Sequence, residues 1–265
     1  MIHPTAIIHP KAKLDSTVRV GPFAVIDEGV ELGADCIVGP HVYLTGQTKI
    51  GANNSFHAGC IIGDAPQDLK YKNQATRLRI GDGNVFREHV TVHRSTKMES
   101  ETVVGSHNFF MANSHIAHNC MVGDRVIIAN GALLAGHVTV QDRAFISGNC
   151  LVHQFCRVGT LALMQGGAGV SMDLPPFCIS LRINEICGLN VIGLRRAGFS
   201  PTQRTELKKL YHALFRSGKN LPEALAHAQE IFCSAPAKIL LDFLAGVKRG
   251  VCSDMGRANG GDEDL

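Results

Sequence analysis

His115 and His118 stand three residues apart, and His137 and His153 follow further along the chain. Imidazoles titrate near neutral pH, which suits them to proton transfer. Their spacing is regular: Gly136 and Gln154 lie eighteen and thirty-six residues beyond His118, each beside another histidine. If eighteen residues make one coil of a solenoid, His118, Gly136 with His137, and His153 with Gln154 stack in one column. Neighbouring coils pair as strands do, so each step is roughly 4.8 Å, a distance suited to hydrogen bonding and to holding a substrate.

The element that must position this column is a repeat of six. Every sixth residue from Ile2 to Val170 is large and apolar except Asp68 and Gln74. Four residues further on the residue is usually Ala, Val, Cys, Thr or Ser, and Gly often follows the large one directly, as at Gly33, Gly51, Gly105 and Gly123. A helix repeats its apolar positions near 3.6 and cannot keep a period of six. Plain alternating strands do not require one large and one small residue at fixed offsets. A triangular coil does: one hexad per face, the large residue inward, Gly and Asn at tight corners with positive φ. The pattern predicts a parallel β-helix of hexapeptide repeats over residues 1–175.

The repeat breaks twice and returns in phase both times, at 64–79 and 95–102. Polar loops thrown out of a rigid frame are the usual carriers of binding chemistry. After Pro175-Pro176 the pattern ends, and residues 176–255 read as a small helical domain. Ser200-Pro201 forms an N-cap with proline in the first turn, and Leu207, Leu210, Tyr211 and Leu214 recur at helical spacing. A second helix starts at Asn220-Leu221-Pro222 and a third spans Pro236 to Val247. So small a unit is expected to pack on the solenoid or on neighbouring copies. Residues 256–265 are expected to be disordered.

With 26 basic and 23 acidic residues, no Trp and few aromatics, the chain lacks the charge and the stacking platform of a nucleic-acid binder. No apolar run is long enough for a membrane span, and the start, Met1-Ile2-His3-Pro4, does not read as a signal peptide. Cys36, Cys60, Cys120, Cys150 and Cys156 occupy small-residue positions of the repeat, and the nine cysteines include no CxxC pair. They read as reduced apolar fillers, which points to the cytoplasm.

Taken together, the solenoid, Gln67-Asp68-Leu69-Lys70-Tyr71, His115-Ile116-Ala117-His118, Ala135-Gly136-His137, Val152-His153-Gln154-Phe155-Cys156 and Gly193-Leu194-Arg195-Arg196-Ala197-Gly198-Phe199 resemble the acyl-carrier-protein-dependent UDP-N-acetylglucosamine O-acyltransferases. The resemblance spans Ile2 to about Val247. It implies a left-handed parallel β-helix with a small C-terminal helical domain. It implies transfer of a 3-hydroxyacyl group from an acyl carrier protein thioester to the 3-hydroxyl of UDP-N-acetylglucosamine, the first step of lipid A biosynthesis. By the same resemblance His118 is the general base and the Gly136 N–H is the oxyanion donor. Asp68, Lys70 and His137 hold the sugar. His115, His153, Gln154, Asn190 and Arg196 surround the nucleotide and its phosphates, where an arginine fork suits a diphosphate. Gly166 closes the acyl groove and so measures the chain. The family works as a homotrimer with its sites between protomers, and neither metal nor cofactor is implied.

Two positions depart from the family pattern. Asn119 stands where an Asp usually follows the catalytic histidine, and Ile192 where an acid lies near the nucleotide. These departures favour one alternative, an acyltransferase paralogue with a changed donor or acceptor; the shared solenoid offers another, a zinc enzyme like the γ-type carbonic anhydrases, with His115 and His118 as ligands.

Overall fold

Each hexad folds as a two-residue strand followed by a turn. The second strand residue is the large apolar one and points inward: Ile26, Leu44, Ile62, Phe86, Phe110, Ile116, Ile128 and Leu134 are all fully buried. Each such side chain contributes roughly 1.5–3 kcal/mol through burial. The first strand residue points outward. This pattern continues coil after coil in a computed structural model that describes residues 1–256.

Among the described residues the strands form three sheets. The first, of nine strands, runs from Ile7–Ile8 to Gly169–Val170. The second, of eight, runs from Lys13–Leu14 to Arg157–Val158. The third, of eleven, starts at Arg19–Val20. Consecutive strands in the chain fall on successive sheets, and strands within the solenoid sheets pair in parallel with matching residues one coil apart, as Ile116 with Leu134 and Leu134 with Val152. The fold is the expected left-handed parallel β-helix with a small helical region after it.

The loops return in phase because they add whole hexads. Coil-to-coil contacts normally join residues 18 apart, as Phe23 N–H to the Thr5 hydroxyl. Across the first loop the separation is 30, where Asn84 N–H donates to the Asn54 side chain, and across the second it is 24, where Asn108 N–H donates to Asn84. These three buried asparagines form a ladder inside the corner that ends at Val126 N–H, beside the stacked rings of Phe56, Phe86 and Phe110. The loops are shorter than the sequence pattern indicates. Strands Ile61–Asp64 and Arg77–Ile80 bound the first at 65–76, and Glu101–Val104 closes the second.

Positive φ at the corners is not confined to Gly and Asn. His41, His89, His107, Arg125, Arg143, Phe155 and Leu161 also adopt it, with φ between 55° and 66°. At these corners the fixed coil geometry overrides residue preference.

The outer surfaces of the three sheets differ. On the first sheet the outward column reads Ile7, Val25, Tyr43, Ile61, Thr91, His115, Leu133, Leu151. On the third it reads Ile37, Ser55, Val85, Phe109, Ile127, Phe145, Leu163, Ile179. On the second sheet it is charged at its start, Lys13, Glu31, Lys49, Arg79, with ion pairs from Glu31 to both lysines.

The expected boundary at Pro175-Pro176 falls short. The third sheet continues through Cys178–Ser180 and Glu185–Leu189 and ends on Ser253–Asp254, which returns after the helices to pair beside Glu185–Leu189. The hexad signal stops there because these last strands no longer wrap a triangular core. The helices are α1 (Val191–Arg196), α2 (Pro201–Phe215), α3 (Leu221–Ile231) and α4 (Ala235–Ala245). Helix α2 carries the capping box of Ser200 and Gln203, and α4 begins one residue before Pro236, capped by Ser234. As expected from their spacing, Leu207, Leu210, Tyr211 and Leu214 are buried: the three leucines share a cluster with Leu161 and Phe177 of the solenoid and Leu240, Leu241 and Leu244 of α4, while Tyr211 joins the solenoid core itself. Arg157 reinforces the junction through Asp173 and the Phe243 carbonyl. The expectation of disorder for 256–265 concerns residues that, Gly256 apart, lie outside those described.

Candidate active site

The Nδ1 of His118 is 3.0 Å from the Oδ1 of Asn119. Which group donates follows from the other bonds of Asn119. Its Oδ1 also accepts the Thr96 backbone N–H, which fixes that atom as the carbonyl oxygen, and the Thr96 hydroxyl. Its Nδ2 donates to the Ser100 hydroxyl. The His118 Nδ1 must therefore carry the proton, leaving Nε2 as the free acceptor. The second loop thus sets the tautomer of this imidazole.

The ring lies against Gly136 of the next coil. A Cβ at Gly136 would sit 2.4 Å from the His118 Cε1 and 2.7 Å from Nε2, so any side chain there displaces the imidazole. The Gly136 N–H donates to no backbone or side-chain acceptor among the described residues. Both residues line a groove of about 680 Å³ with His115, His153, Gln154 and Gln67 of the first loop, over an apolar bed that includes Leu133, Leu151 and Val170.

Neighbouring imidazoles tune the groove. His115 bonds the Thr91 hydroxyl at 2.6 Å, and burial pushes its pKa down to about 4, with His93 and His118 adding to the effect. His115 is thus neutral at physiological pH. His137 sits at a corner with φ 61°, stacked on Phe155 and edge-on to His118 with ring centroids 5.3 Å apart. Burial lowers its pKa, while Asp68 opposes that shift.

The expected single column splits into three. His118, Gly136 and Gln154 share one position of the coil. His137 occupies the corner position with Asn119 and Phe155, and its N–H donates to the His118 carbonyl. His153 stands in register with Ala117 and Ala135 and meets Arg249 at 3.5 Å. The one-residue offsets within the eighteen-residue period put adjacent side chains on different sides of a corner.

The other expected residues spread around this centre. Asp68 accepts the Lys70 N–H at 2.8 Å, closing a turn that leaves Lys70 exposed. Asn190 caps α1 by accepting from Gly193 N–H and donates to the Leu161 carbonyl. Asn190 and the exposed Arg196 line a second groove, of about 1000 Å³, on the third sheet with Phe145, Leu163 and Ile192. Gly166 is exposed between the two grooves: Gln165 lines one and Gly167 the other. Met164 is fully buried in the solenoid core. Among the described residues no three His, Cys, Asp or Glu side chains converge as a metal site.

Sequence reasoning missed Thr91, His93, Thr96, Ser100 and Arg249. Thr91 was within reach: counting the extra hexad of the second loop brings it into register with His115. His93 packs edge-on against His115, and its buried Nδ1 has no partner among the described residues. Arg249 reaches His153 only through the return of the chain after α4, which no spacing reveals.

Family models agree with this architecture. The model described as Udp N-acetylglucosamine O-acyltransferase, Domain 2, matches residues 173–252, and the bacterial transferase hexapeptide model matches residues 11–46 and 101–136. The chain is 44% identical over 254 residues to the acyl-[acyl-carrier-protein]–UDP-N-acetylglucosamine O-acyltransferase of Syntrophobacter fumaroxidans, covering 94% of this chain and 98% of that protein. The enzyme of the same name from Thermodesulfovibrio yellowstonii is also 44% identical, over 95% of this chain and 98% of its own length. The structure of Francisella novicida UDP-N-acetylglucosamine acyltransferase superposes with a TM-score of 0.93 at 36% identity, covering 96% of this chain and 95% of that one. Sequence, fold and groove agree: the chain belongs to the acyl-carrier-protein–UDP-N-acetylglucosamine O-acyltransferase family and is an acyltransferase.

Proposed function

We propose that this enzyme transfers a 3-hydroxyacyl group from an acyl carrier protein thioester to the 3-hydroxyl of UDP-N-acetylglucosamine, opening lipid A biosynthesis in the cytoplasm. The observation that carries this reading is the pairing of His118 with Gly136: a free Nε2 of fixed tautomer packed on a glycine whose N–H is unclaimed. His118 takes the proton of the attacking sugar hydroxyl. The Gly136 N–H stabilises the oxyanion that forms as the hydroxyl adds to the thioester carbonyl. Collapse expels the carrier thiolate and leaves an ester. The acyl donor is itself a substrate, and the chemistry calls for no cofactor. Asp68, Lys70 and His137 hold the sugar, and His115, His153, Gln154, Asn190 and Arg196 surround the nucleotide and phosphates.

The working form is a homotrimer. Two outer sheet faces are apolar and one is charged at its start, which fits a closed ring in which the third sheet of one protomer meets the first sheet of the next. That packing would bring Asn190 and Arg196 of one chain to the His118 groove of another, which a single chain keeps apart. No helix among the described residues is long and apolar enough to cross a membrane.

Mixing the purified protein with 3-hydroxyacyl carrier protein and UDP-N-acetylglucosamine tests the reading. Ester should form, and His118→Ala should lower turnover by roughly 10²–10⁴-fold, the usual loss with a general base, with unchanged circular dichroism. Equal rates for variant and wild type would reject His118 as the base. A second reading rests on Ile192, which is exposed beside Asn190: the acceptor is a different nucleotide sugar. Transfer to another UDP-sugar, with none to UDP-N-acetylglucosamine, is its signature.

A further inference from the structure

The first loop, 65–76, carries Gln67 into the groove and Asp68 towards His137. Few bonds hold it. Its internal bonds are local: Tyr71 N–H to the Asp68 carbonyl, Lys70 N–H to the Asp68 carboxylate, Lys72 N–H to the Gln74 side chain. Among the described residues, the hydrogen bonds that tie its interior to the rest of the molecule run through one side chain. The Tyr71 hydroxyl donates to the Gln74 carbonyl and accepts from the Nε and Nη2 of Arg94, at 3.3 and 3.2 Å. The Arg94 guanidinium lies 5.7 Å from the Tyr71 ring centroid.

Arg94 is itself fixed from several sides. Its Nη1 donates to the Gly63 carbonyl at 2.8 Å and its backbone N–H to the Asp64 carbonyl. The absence of a side chain at Gly46 makes room for it, since a Cβ there would sit 3.0 Å from the Arg94 Cδ. Two residues further on, Thr96 bonds the Asn119 amide that orients His118. Arg94 therefore joins the two loops where they leave the solenoid, one touching the base and the other entering the acceptor side of the groove.

We propose that Arg94 and Tyr71 form a clamp that sets the first loop, and with it Gln67, Asp68 and Lys70, at the position from which it grips the nucleotide sugar. Neither residue touches the reacting atoms; both act through the loop. The inference rests on the transfer reaction proposed above.

Tyr71→Phe tests it, because the ring and its contact with the guanidinium stay while the hydroxyl that accepts from Arg94 goes. The expected result is a rise of roughly ten-fold in KM for UDP-N-acetylglucosamine, with kcat and KM for the acyl carrier substrate within about two-fold, from the loss of a charge-assisted bond. Arg94→Lys should lie between wild type and Arg94→Ala. Hydrogen exchange read alongside should speed up in 65–76 and stay unchanged in the coils above and below. Unchanged KM overturns the clamp, as does a loss of kcat and KM together with faster exchange throughout the solenoid, which marks a purely structural role. If the wild type transfers no acyl group, the functional reading fails by itself. Exchange then decides the clamp: equal protection of 65–76 in wild type and Tyr71→Phe overturns it.

Discussion

Asn119 holds His118 by its Nδ1 at 3.0 Å, and every other polar contact of the Asn119 side chain goes to the second loop, at Thr96 and Ser100. The amide orients the imidazole and fixes its tautomer, but it brings no charge to stabilise the imidazolium that the proposed role of His118 as base requires.

Asn119→Asp adds that charge at the same place. Thr96 can donate to the carboxylate as before, and the Ser100 hydroxyl can turn to donate as well. An opposite charge this close favours the protonated imidazole. The acidic limb of the kcat profile should move to higher pH, and turnover above that limb should rise. A superimposable profile would show that residue 119 acts on His118 by orientation alone.

His115 gives a stability signature. With its folded-state pKa at about 4 and an unfolded value near 6.5, the unfolded chain binds more protons between these limits. Stability therefore rises with pH across this window and is complete above about 6.5. Going from pH 7.5 to 5 should take about 2 kcal/mol from the folded state through this one group. His115→Gln should reduce the gap between urea midpoints at the two pH values by that contribution; the same gap in both proteins would contradict it.

Gly166 stands on the ridge between the two grooves, and a Cβ there would find only the Gly148 carbonyl, at 3.7 Å. A longer side chain can therefore be accommodated without strain and, if the expected acyl groove ends here, project over it. Each buried methylene contributes about 0.8 kcal/mol, so donors two carbons apart can differ by roughly ten-fold. Gly166→Met should shift preference to shorter acyl donors and leave KM for the nucleotide sugar unchanged. An identical chain-length profile across a series of acyl carrier substrates would place the end of the path elsewhere.

Phe145 lies in the outward apolar column of the third sheet, between Ile127 and Leu163. Phe145→Lys puts a charge into the proposed contact between protomers without touching the solenoid core. Sedimentation should change from trimer to monomer at micromolar protein, and transfer should fall with it. A trimer of wild-type activity would remove this face from the interface.

The fold was legible wherever each residue's role repeated. One period of six predicts the buried residue, the outward residue and the coil length, and the inward row from Ile26 to Leu134 follows it. The helices were readable from Ser200-Pro201 and the 207–214 spacing, except α1, whose six residues are too few to show a period. The candidate site was legible only as a set. The eighteen-residue spacing finds His118 and Gly136, but the offset of His137 and His153 into other positions depends on corner geometry that spacing does not encode. Contacts such as Arg94 with Tyr71, or Arg249 with His153, join segments that meet only after the loops and helices have folded.

The separations of 18, 24 and 30 residues between stacked positions also constrain how such a gene can change. A duplication of six codons lengthens a loop and leaves every later coil as it was. Within a coil, an insertion that is not a multiple of six turns the residues that follow out of register, sending core side chains to solvent and outer ones inward. Variation in length along the solenoid is therefore quantised by its frame. New specificities can be tried in whole-hexad steps at little cost to the fold, while the column bearing His118 and Gly136 stays in place.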